Sequence, residues 1–287
     1  MRRFMALLIS LALIGAGCST TPEAKQTLQE LADATTRSYQ IPAIGGELVP
    51  GRNRLVFAVL DKENGFVPSL DLQMYFSDAP DGDARGPVKV DFAEEGLGDR
   101  PFYRAIVDLP KEGTWFLLFQ ERAGKKGAGA QAEVKASSPV PNVGKKAISM
   151  PTPTRADTMG LSDICSSEPE DDLHDLSLDT ALTNGKPTVV TFSTPAFCAT
   201  RICGPVVDQV VRVHDSVGDA VNFIHLEVYT DLSAGEISSK QFTESMKKWE
   251  LPTEPWTFVI DNEGTIKARF EGPVTTTEIS DSLKGLT

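Results

Sequence analysis

Residues 188–205 read TVVTFSTPAFCATRICGP, and this stretch decides the fold of the C-terminal half of the chain. The β-branched run Thr188–Phe192 predicts a strand that is buried on both faces. Cys198 and Cys203 follow, with four residues between them, at the point where the strand gives way to a helix. The free N–H groups and the dipole of a helix N-terminus stabilise a thiolate, so the arrangement indicates redox chemistry on sulfur.

Outward from this stretch, the C-terminal sequence alternates strands with helices in the order β-α-β-α-β-β-α. Further strands are predicted at Val221–Tyr229, Trp256–Ile260 and Thr265–Phe270. Four helices are predicted. The first covers Leu176–Leu182, and the second has a valine-rich face that ends at His214. The third begins at Ser239, with Phe242, Met246 and Trp249 on its inner face, and the last is capped by Thr275 and Glu278.

This order, with a dithiol after the first strand, resembles the thioredoxin superfamily over residues 155–287, and more closely a group of secreted bacterial thioredoxin-like proteins. Phe197 matches the aromatic residue before the first cysteine of that superfamily. Pro255 matches a proline that is cis in the superfamily and flanks the dithiol, although Glu254 replaces the more usual small or β-branched residue before it. The resemblance implies thiol–disulfide exchange without a cofactor, with Cys198, Cys203 and Pro255 in the site.

The spacing of the cysteines departs from the thioredoxin pattern, which has two residues between them. In a regular helix this spacing puts the Cα atoms about 8–9 Å apart, whereas a disulfide needs less than about 7 Å. Either the segment is a loop and the helix starts at Gly204-Pro205, or the first helical turn unwinds during turnover. Pro205 favours the loop because proline suits the first position of a helix.

Two alignments compete for the nucleophile. Phe192 lies six residues before Cys198, as in thioredoxins, which favours Cys198 with Cys203 as the resolving cysteine. The run Cys203-Gly204-Pro205 instead echoes the thioredoxin centre with its second cysteine replaced. Arg201 is either an accessory cation that lowers the pKa of a thiolate or a solvated loop residue.

Thiol peroxidase is the alternative reaction, because one branch of the peroxiredoxins has the same spacing of cysteines. Thr194 superficially matches their threonine, but it lies one residue too far from Cys198. Pro255 occupies the place of the arginine that polarises peroxide, and the nearest arginine downstream is Arg269. These departures favour disulfide exchange.

Two further alternatives stay open, namely Cu(I) or Zn binding by the pair and a purely structural disulfide. Metal binding needs an added histidine, and His225 on the second strand is the candidate, although a histidine there is more typical of a core. Glu227 on the same face is a candidate proton shuttle. Because His225 is interpreted as a core residue, no metal is assigned. Cys165 and His174 flank the acidic loop 168–172 and are expected to be peripheral. A structural disulfide closing so short a loop would stabilise the fold only modestly.

The N-terminus predicts export. Residues 1–17 contain Arg2 and Arg3, an apolar run too short to span a membrane, and small residues, which together are typical of a signal peptide. The following Cys18 resembles the lipidated cysteine of bacterial lipoproteins, with Gly15 in place of the usual leucine or valine. The alternative is ordinary cleavage that discards Cys18. The protein is therefore expected in the cell envelope, anchored by lipid outside the cytoplasmic membrane or periplasmic, where disulfides persist.

The remaining sequence predicts four further segments. Residues 18–46 are polar and are expected to form a lipid-anchored tether. Residues 47–136 alternate with period two between turn signals, which predicts an immunoglobulin-like β-sandwich with a spacer or partner-binding role. Residues 137–154 form a proline-rich linker, and residues 155–287 form the thioredoxin-like domain.

The composition narrows the partners. The net charge of −12 argues against nucleic acid and against adhesion to anionic lipid, so the expected membrane contact is the lipid anchor alone. The expected partners are a protein thiol or disulfide substrate and a redox donor that the sequence does not identify.

Overall fold

The computed structural model describes residues 25–95, 100–198, 201–233 and 240–286. Its strands form one sheet of seven strands and one of four. Residues 1–17, Cys18 and Ser239 lie outside the described residues, so the signal peptide and the lipidation remain predictions. No helix within the described ranges is both long enough and apolar enough to cross a membrane.

The seven-stranded sheet comes from the N-terminal half of the chain. Its elements are α1 (Leu28–Asp33), β1 (Thr36–Arg37), β2 (Gly51–Phe57), β3 (Leu72–Ser77), β4 (Arg85–Ala93), β5 (Phe102–Leu109), β6 (Gly113–Glu121) and β7 (Lys126–Val134). The strand order is β1-β7-β6-β3-β4-β5-β2, with β1 parallel to β7 and the other neighbours antiparallel.

Strand β4 joins two layers of this sheet. Its first half pairs with β3, with Val88 opposite Met74, and its last half pairs with β5, with Val90 opposite Ala105. The strands that were predicted to form a β-sandwich are therefore hydrogen-bonded into one continuous sheet of seven strands. Residues of β2, β3, β5, β6 and β7 pack into a single core, in which Met74 is fully buried, as its position in the alternating pattern predicts.

The segment before β2 packs against the sheet, whereas the sequence predicts a tether over residues 18–46 with a short helical patch around Leu28 and Leu31. Helix α1 lies at that patch. Leu28 on α1 is buried, and β1 pairs with β7. Tyr39, Ile41 and Ile44 pack against the core of the sheet. These apolar side chains cover part of the core of the sheet, so this segment belongs to the sheet unit.

The four-stranded sheet comes from the C-terminal half. Its elements are α2 (Leu178–Ala181), β8 (Thr188–Phe192), α3 (Cys203–Val217), β9 (Asn222–Leu226), α4 (Glu244–Lys248), β10 (Trp256–Ile260), β11 (Ile266–Glu271) and α5 (Thr276–Leu283). The order is β11-β10-β8-β9, with β8 parallel to β9 and β10 antiparallel to both of its neighbours. The predicted bounds of β8 and β10 are confirmed, as is the capping box of Thr275 and Glu278 before α5.

Helix α4 begins later than predicted. Thr243 is its N-cap, and Phe242 lies before it, 38% exposed and stacked on Tyr229. Phe242 is therefore not on the inner face of a helix, because the chain there still pairs with Tyr229 as a β-bridge. Met246 and Trp249 are buried, as predicted.

The proline-rich segment 137–154 follows the edge of the second sheet. The N–H groups of Gly144 and Ala147 donate to the carbonyls of Ile266 and Gly264, both at 2.9 Å. Val140 is buried against the core of this sheet. The segment is therefore packed along β11.

The two sheets share an apolar and ionic contact. Val56, Ala93 and Phe102 of the first sheet pack into one cluster with residues of β8, α3, β9, β10 and α5. Beside this cluster, Arg54 and Arg104 form ion pairs with Glu278 on α5, at 2.7 and 2.9 Å.

Candidate functional site

Cys198 and Cys203 are joined by a disulfide with a Cα–Cα distance of 5.8 Å. The bond forms across a loop, because Cys198 ends a 3₁₀ turn over residues 195–197 and α3 begins only at Cys203. The loop expectation is thus confirmed, with the helix starting one residue earlier than predicted. Arg201 turns the chain here with φ of +57° and its N–H donates to the Cys198 carbonyl, while its side chain is exposed.

The two cysteines have different surroundings. Cys203 is fully buried at the first residue of α3, whereas Cys198 is partly exposed. The Cys203 backbone N–H donates to the Cys198 Sγ at 3.2 Å. A donor and the positive end of a helix dipole at this sulfur favour its thiolate form.

Pro255 lies at the same end of the four-stranded sheet as residues 195–203, which are called the disulfide loop below. The Glu254–Pro255 peptide bond is cis, as the resemblance implies. Pro255 directly precedes Trp256, which pairs with Phe192 at the end of β8. The Thr194 N–H donates to the Glu254 Oε2 at 2.7 Å, so the two loops are tied together.

Glu254 is a buried acid at this end of the sheet, and its pKa lies near neutrality. Burial raises its pKa to about 7, against the opposing effects of the Thr194 N–H and the Tyr229 hydroxyl. Burial and the neighbouring Glu254 charge raise the pKa of Tyr229 to about 12. The sequence signal for this acid is its replacement of the small residue usual before the cis-proline.

Lys240 brings a cation to the disulfide loop. Its Nζ lies 4.2 Å from the centroid of the Phe197 ring, next to Cys198 in the chain. The amine also donates to the carbonyls of Asp231 and Ser233, and the side chain is only 3% exposed. No sequence motif pointed to this lysine, because its position beside the Phe197 ring depends on tertiary contacts.

Glu227, the predicted proton shuttle, is buried at the end of β9. Its Oε1 accepts the Ser166 N–H at 2.6 Å and lies 3.9 Å from the His225 Nε2. Its Oε2 has no hydrogen-bond partner within the described ranges. Ser166 also touches the disulfide loop, since its Oγ accepts the Ala196 N–H at 3.2 Å.

Cys165 and His174 are not peripheral, contrary to the sequence-based expectation. Both are buried, because the 165–174 segment folds over β9 and brings them to Asp171 and His225. Burial raises the pKa of Cys165, but interactions with His174 and His225 outweigh burial and lower it to about 7. Burial likewise opposes ionisation of Asp171, yet the two histidines hold its pKa well below the usual range.

His225 is engaged on both sides of its ring. Its Nδ1 lies 2.8 Å from the Asp171 Oδ2, and its Nε2 lies 2.9 Å from the Ser193 carbonyl oxygen. Its two hydrogen-bonding directions therefore point to Asp171 and to the Ser193 carbonyl. Metal binding by Cys198 and Cys203 together with His225 stays an untested alternative.

Comparisons with known proteins give low-scoring structural likenesses. No protein-family model and no curated protein sequence matches the chain. StoA from Bacillus subtilis is 18% identical, covering 42% of this chain and 96% of its own, with a TM-score of 0.31. A thiol-disulfide isomerase from Corynebacterium glutamicum is 16% identical, covering 44% and 94%, with a TM-score of 0.32. The Lin-41 filamin domain is 12% identical, covering 35% and 95%, with a TM-score of 0.24. These scores support neither an activity nor a substrate for this chain.

Proposed function

We propose that the protein is an extracytoplasmic thiol–disulfide oxidoreductase that acts on protein disulfides through Cys198 and Cys203. The observation that carries this proposal is the disulfide at the N-terminus of α3, with one sulfur accessible and the other buried. That asymmetry is what exchange requires, because a substrate must reach the first sulfur and must not compete for the second.

The reaction proceeds in two exchanges. The Cys198 thiolate attacks one sulfur of a substrate disulfide, and the other substrate sulfur leaves as a thiolate that takes up a proton. The Cys203 thiolate then attacks the Cys198 Sγ and releases the second substrate thiol. The substrate disulfide gains two electrons and two protons, and the Cys198–Cys203 dithiol is oxidised to the disulfide. An external dithiol restores the reduced pair, and the reverse sequence oxidises a substrate.

Cys198 is proposed as the nucleophile and Cys203 as the resolving cysteine. The hydrogen bond from the Cys203 N–H to the Cys198 Sγ supports this order. Lys240 is proposed to add positive potential beside Cys198, and Pro255 to shape the groove for the substrate chain. Arg201 and Glu227 keep accessory roles in this proposal, with Glu254 as a further acid close to neutrality.

The proposed organisation is that of a lipoprotein. Residues 1–17 are the signal, Cys18 carries the lipid, and the immunoglobulin-like unit precedes a thioredoxin-like domain of residues 155–287. The linker is residues 137–154, and the earlier unit includes residues 28–46 as well as 47–136. The partners are a protein substrate and an envelope redox donor.

Peroxidase activity finds less support. Arg269, the nearest downstream arginine for that alternative, donates to the carbonyls of Val140 and Glu47 and lies over the Trp256 ring. Its guanidinium is thus occupied at the edge of the sheet.

The test is reduction of insulin disulfides by the full chain with dithiothreitol as donor. We expect Cys198→Ser to abolish the catalysed rate, and Cys203→Ser to accumulate a mixed disulfide that mass spectrometry identifies at Cys198. His214→Gln, on α3 and outside the site, is the control and retains activity. Insulin reduction that survives Cys198→Ser contradicts the proposal, as does rapid hydrogen peroxide consumption without insulin reduction.

A further inference from the structure

Four side chains beneath the disulfide loop present metal-binding atoms to one another. Cys165, Asp171, His174 and His225 each offer one such atom, and these atoms all lie within 4.8 Å of one another. Asp171 and Cys165 are 9% exposed, His174 is 2% exposed and His225 is fully buried. The set is therefore enclosed in the protein.

The hydrogen bonds of His225 direct one nitrogen into this cluster. The Ser193 carbonyl oxygen can only accept, so the Nε2 that faces it at 2.9 Å carries a proton. In the neutral ring the Nδ1 then has a free electron pair, 2.8 Å from the Asp171 carboxylate oxygen. Since two bare electron pairs facing each other in a buried position repel, this contact holds either a proton on Nδ1 that is donated to the carboxylate or a metal ion that takes both electron pairs. An N–H to a backbone carbonyl is also the usual support of a metal-binding histidine.

His174 supplies an independent observation. Its Nε2 lies 3.2 Å from the Asp171 Oδ1, yet it has no hydrogen-bond partner within the described ranges. A buried nitrogen that contacts a carboxylate without hydrogen-bond geometry is uncommon in folded proteins, and a bound ion is one of its recognised explanations. The His174 Nε2 is therefore directed at the cluster and can serve as a ligand there.

Cys165 and Asp171 are the other two groups of the cluster, and hydrogen bonds hold the Asp171 carboxylate in place. The Cys165 Sγ lies 3.4 Å from the Asp171 Oδ2, and the carboxylate accepts hydrogen bonds from the Leu173 N–H and the Ser167 hydroxyl. Such outer hydrogen bonds hold a ligating carboxylate in place.

We propose that Cys165, Asp171, His174 and His225 form a structural Zn²⁺ site. One thiolate, two imidazoles and one carboxylate match the sulfur, nitrogen and oxygen ligands of four-coordinate zinc. The ion fastens the 165–174 segment to β9, and Ser166 of that segment contacts the disulfide loop through Ala196. The site is separate from the Cys198–Cys203 pair, so it stands whether or not that pair is catalytic.

Metal titration of the oxidised full chain carrying Cys18→Ser tests the site. Cys165 is then the only free thiol, because the chain has four cysteines and Cys198 is bonded to Cys203. With Co²⁺ as the probe, we expect one equivalent to bind with a thiolate-to-cobalt charge-transfer band and tetrahedral d–d bands. Zn²⁺ is expected to displace it. Cys165→Ser should abolish the charge-transfer band, and His174→Gln should weaken Zn²⁺ binding by roughly 100-fold.

The controls are His214→Gln and the Cys198→Ser/Cys203→Ser double variant, both of which should bind Zn²⁺ as the parent does. Loss of binding in the double variant overturns the proposal, and so does binding that Cys165→Ser leaves unchanged. Preferential Cu⁺ binding by the same atoms overturns the assignment to zinc. If the cluster variants do not fold, zinc-edge anomalous diffraction from the parent protein crystallised with Zn²⁺ decides. A peak among the four side chains supports the site, and its absence there contradicts it.

Discussion

The backbone N–H of Cys203 lies 3.2 Å from the Sγ of Cys198 and donates to it. Cys203 thus contacts Cys198 in two ways. Its sulfur forms the disulfide bond, and its backbone N–H, at the first residue of α3, donates to the Cys198 sulfur. We expect this donor and the helix N-terminus to favour the Cys198 thiolate over that of buried Cys203 when the bond is reduced.

This arrangement predicts unequal reactivity of the reduced cysteines. Iodoacetamide should alkylate Cys198 roughly tenfold faster than Cys203, since Cys198 is more exposed and its thiolate is stabilised. Peptide mass mapping at short reaction times measures both rates and resolves Cys165 separately. Cys203→Ser should leave the Cys198 rate high. Faster modification of Cys203 would reverse the proposed roles.

Lys240→Gln should make the Cys198–Cys203 pair less oxidising. The lysine charge lies against Phe197 and stabilises a thiolate at the neighbouring Cys198, so its removal weakens the reduced state. The roughly 0.5–1 kcal/mol of a solvent-screened charge contact is a lower estimate for this buried amine. Since 30 mV corresponds to about 1.4 kcal/mol, the potential should fall by at least roughly 10–20 mV. Equilibration with glutathione measures it. Lys248→Gln, on the exposed face of α4, should leave the potential unchanged. Equal shifts in the two variants would refute a local effect.

Glu254→Gln should alter how stability depends on pH. The folded pKa of Glu254 is about 7, above its usual value, so the folded state binds this proton more tightly than the unfolded state does. Its contribution to stability is complete below about pH 4.5 and is lost as the pH rises towards 7, by roughly 3 kcal/mol. Tyr229 and Glu227 are the titratable groups that act on this carboxyl together with His225.

Urea unfolding of the parent and Glu254→Gln proteins between pH 4 and 8 measures this difference. The parent should lose stability relative to the variant as the pH rises. A constant difference across that range would mean that Glu254 ionises normally in the folded protein.

Glu278→Gln should weaken the contact between the two sheets. Burial raises the pKa of Glu278, but the charges of Arg54 and Arg104 outweigh burial and hold it below its usual value. The ionised carboxylate therefore contributes stability at neutral pH, and that contribution is lost as the pH falls towards and below the folded pKa.

Removing the Glu278 charge leaves the mostly buried guanidinium groups of Arg54 and Arg104 without their carboxylate partner, which costs about 3 kcal/mol at pH 7 in urea unfolding. Glu244→Gln breaks the exposed pair with Lys247 and should cost less than about 0.5 kcal/mol. Similar losses in the two variants would show that the contact between the sheets does not depend on Glu278.

The first and last residues of some elements could be predicted from local sequence alone. The β-branched run of β8 and the apolar run of β10 are fully buried strands, and their period and flanking turns define them without long-range information. The capping box at Thr275 likewise needs only four consecutive residues. The loop between the cysteines followed from helix geometry and Pro205.

Features that depend on distant pairing could not be predicted in this way. The switch of β4 from β3 to β5 depends on registers with two other strands, and period-two alternation is the same in either layer. Cys165 and His225 lie sixty residues apart and meet because the 165–174 segment crosses β9. From the sequence alone, an acidic loop with a cysteine and a histidine looks like a solvated loop. Its burial becomes evident only from its contact with β9.

The reduction potential of the Cys198–Cys203 pair tests the central claim most directly. It is measured on the full chain by equilibration in glutathione buffers, with the bonded fraction determined by mass spectrometry. An exchange-active pair should have a potential between about −120 and −270 mV, the range of thioredoxin, protein disulfide isomerase and strong oxidants. A potential below about −300 mV is typical of a structural disulfide and would contradict a catalytic role.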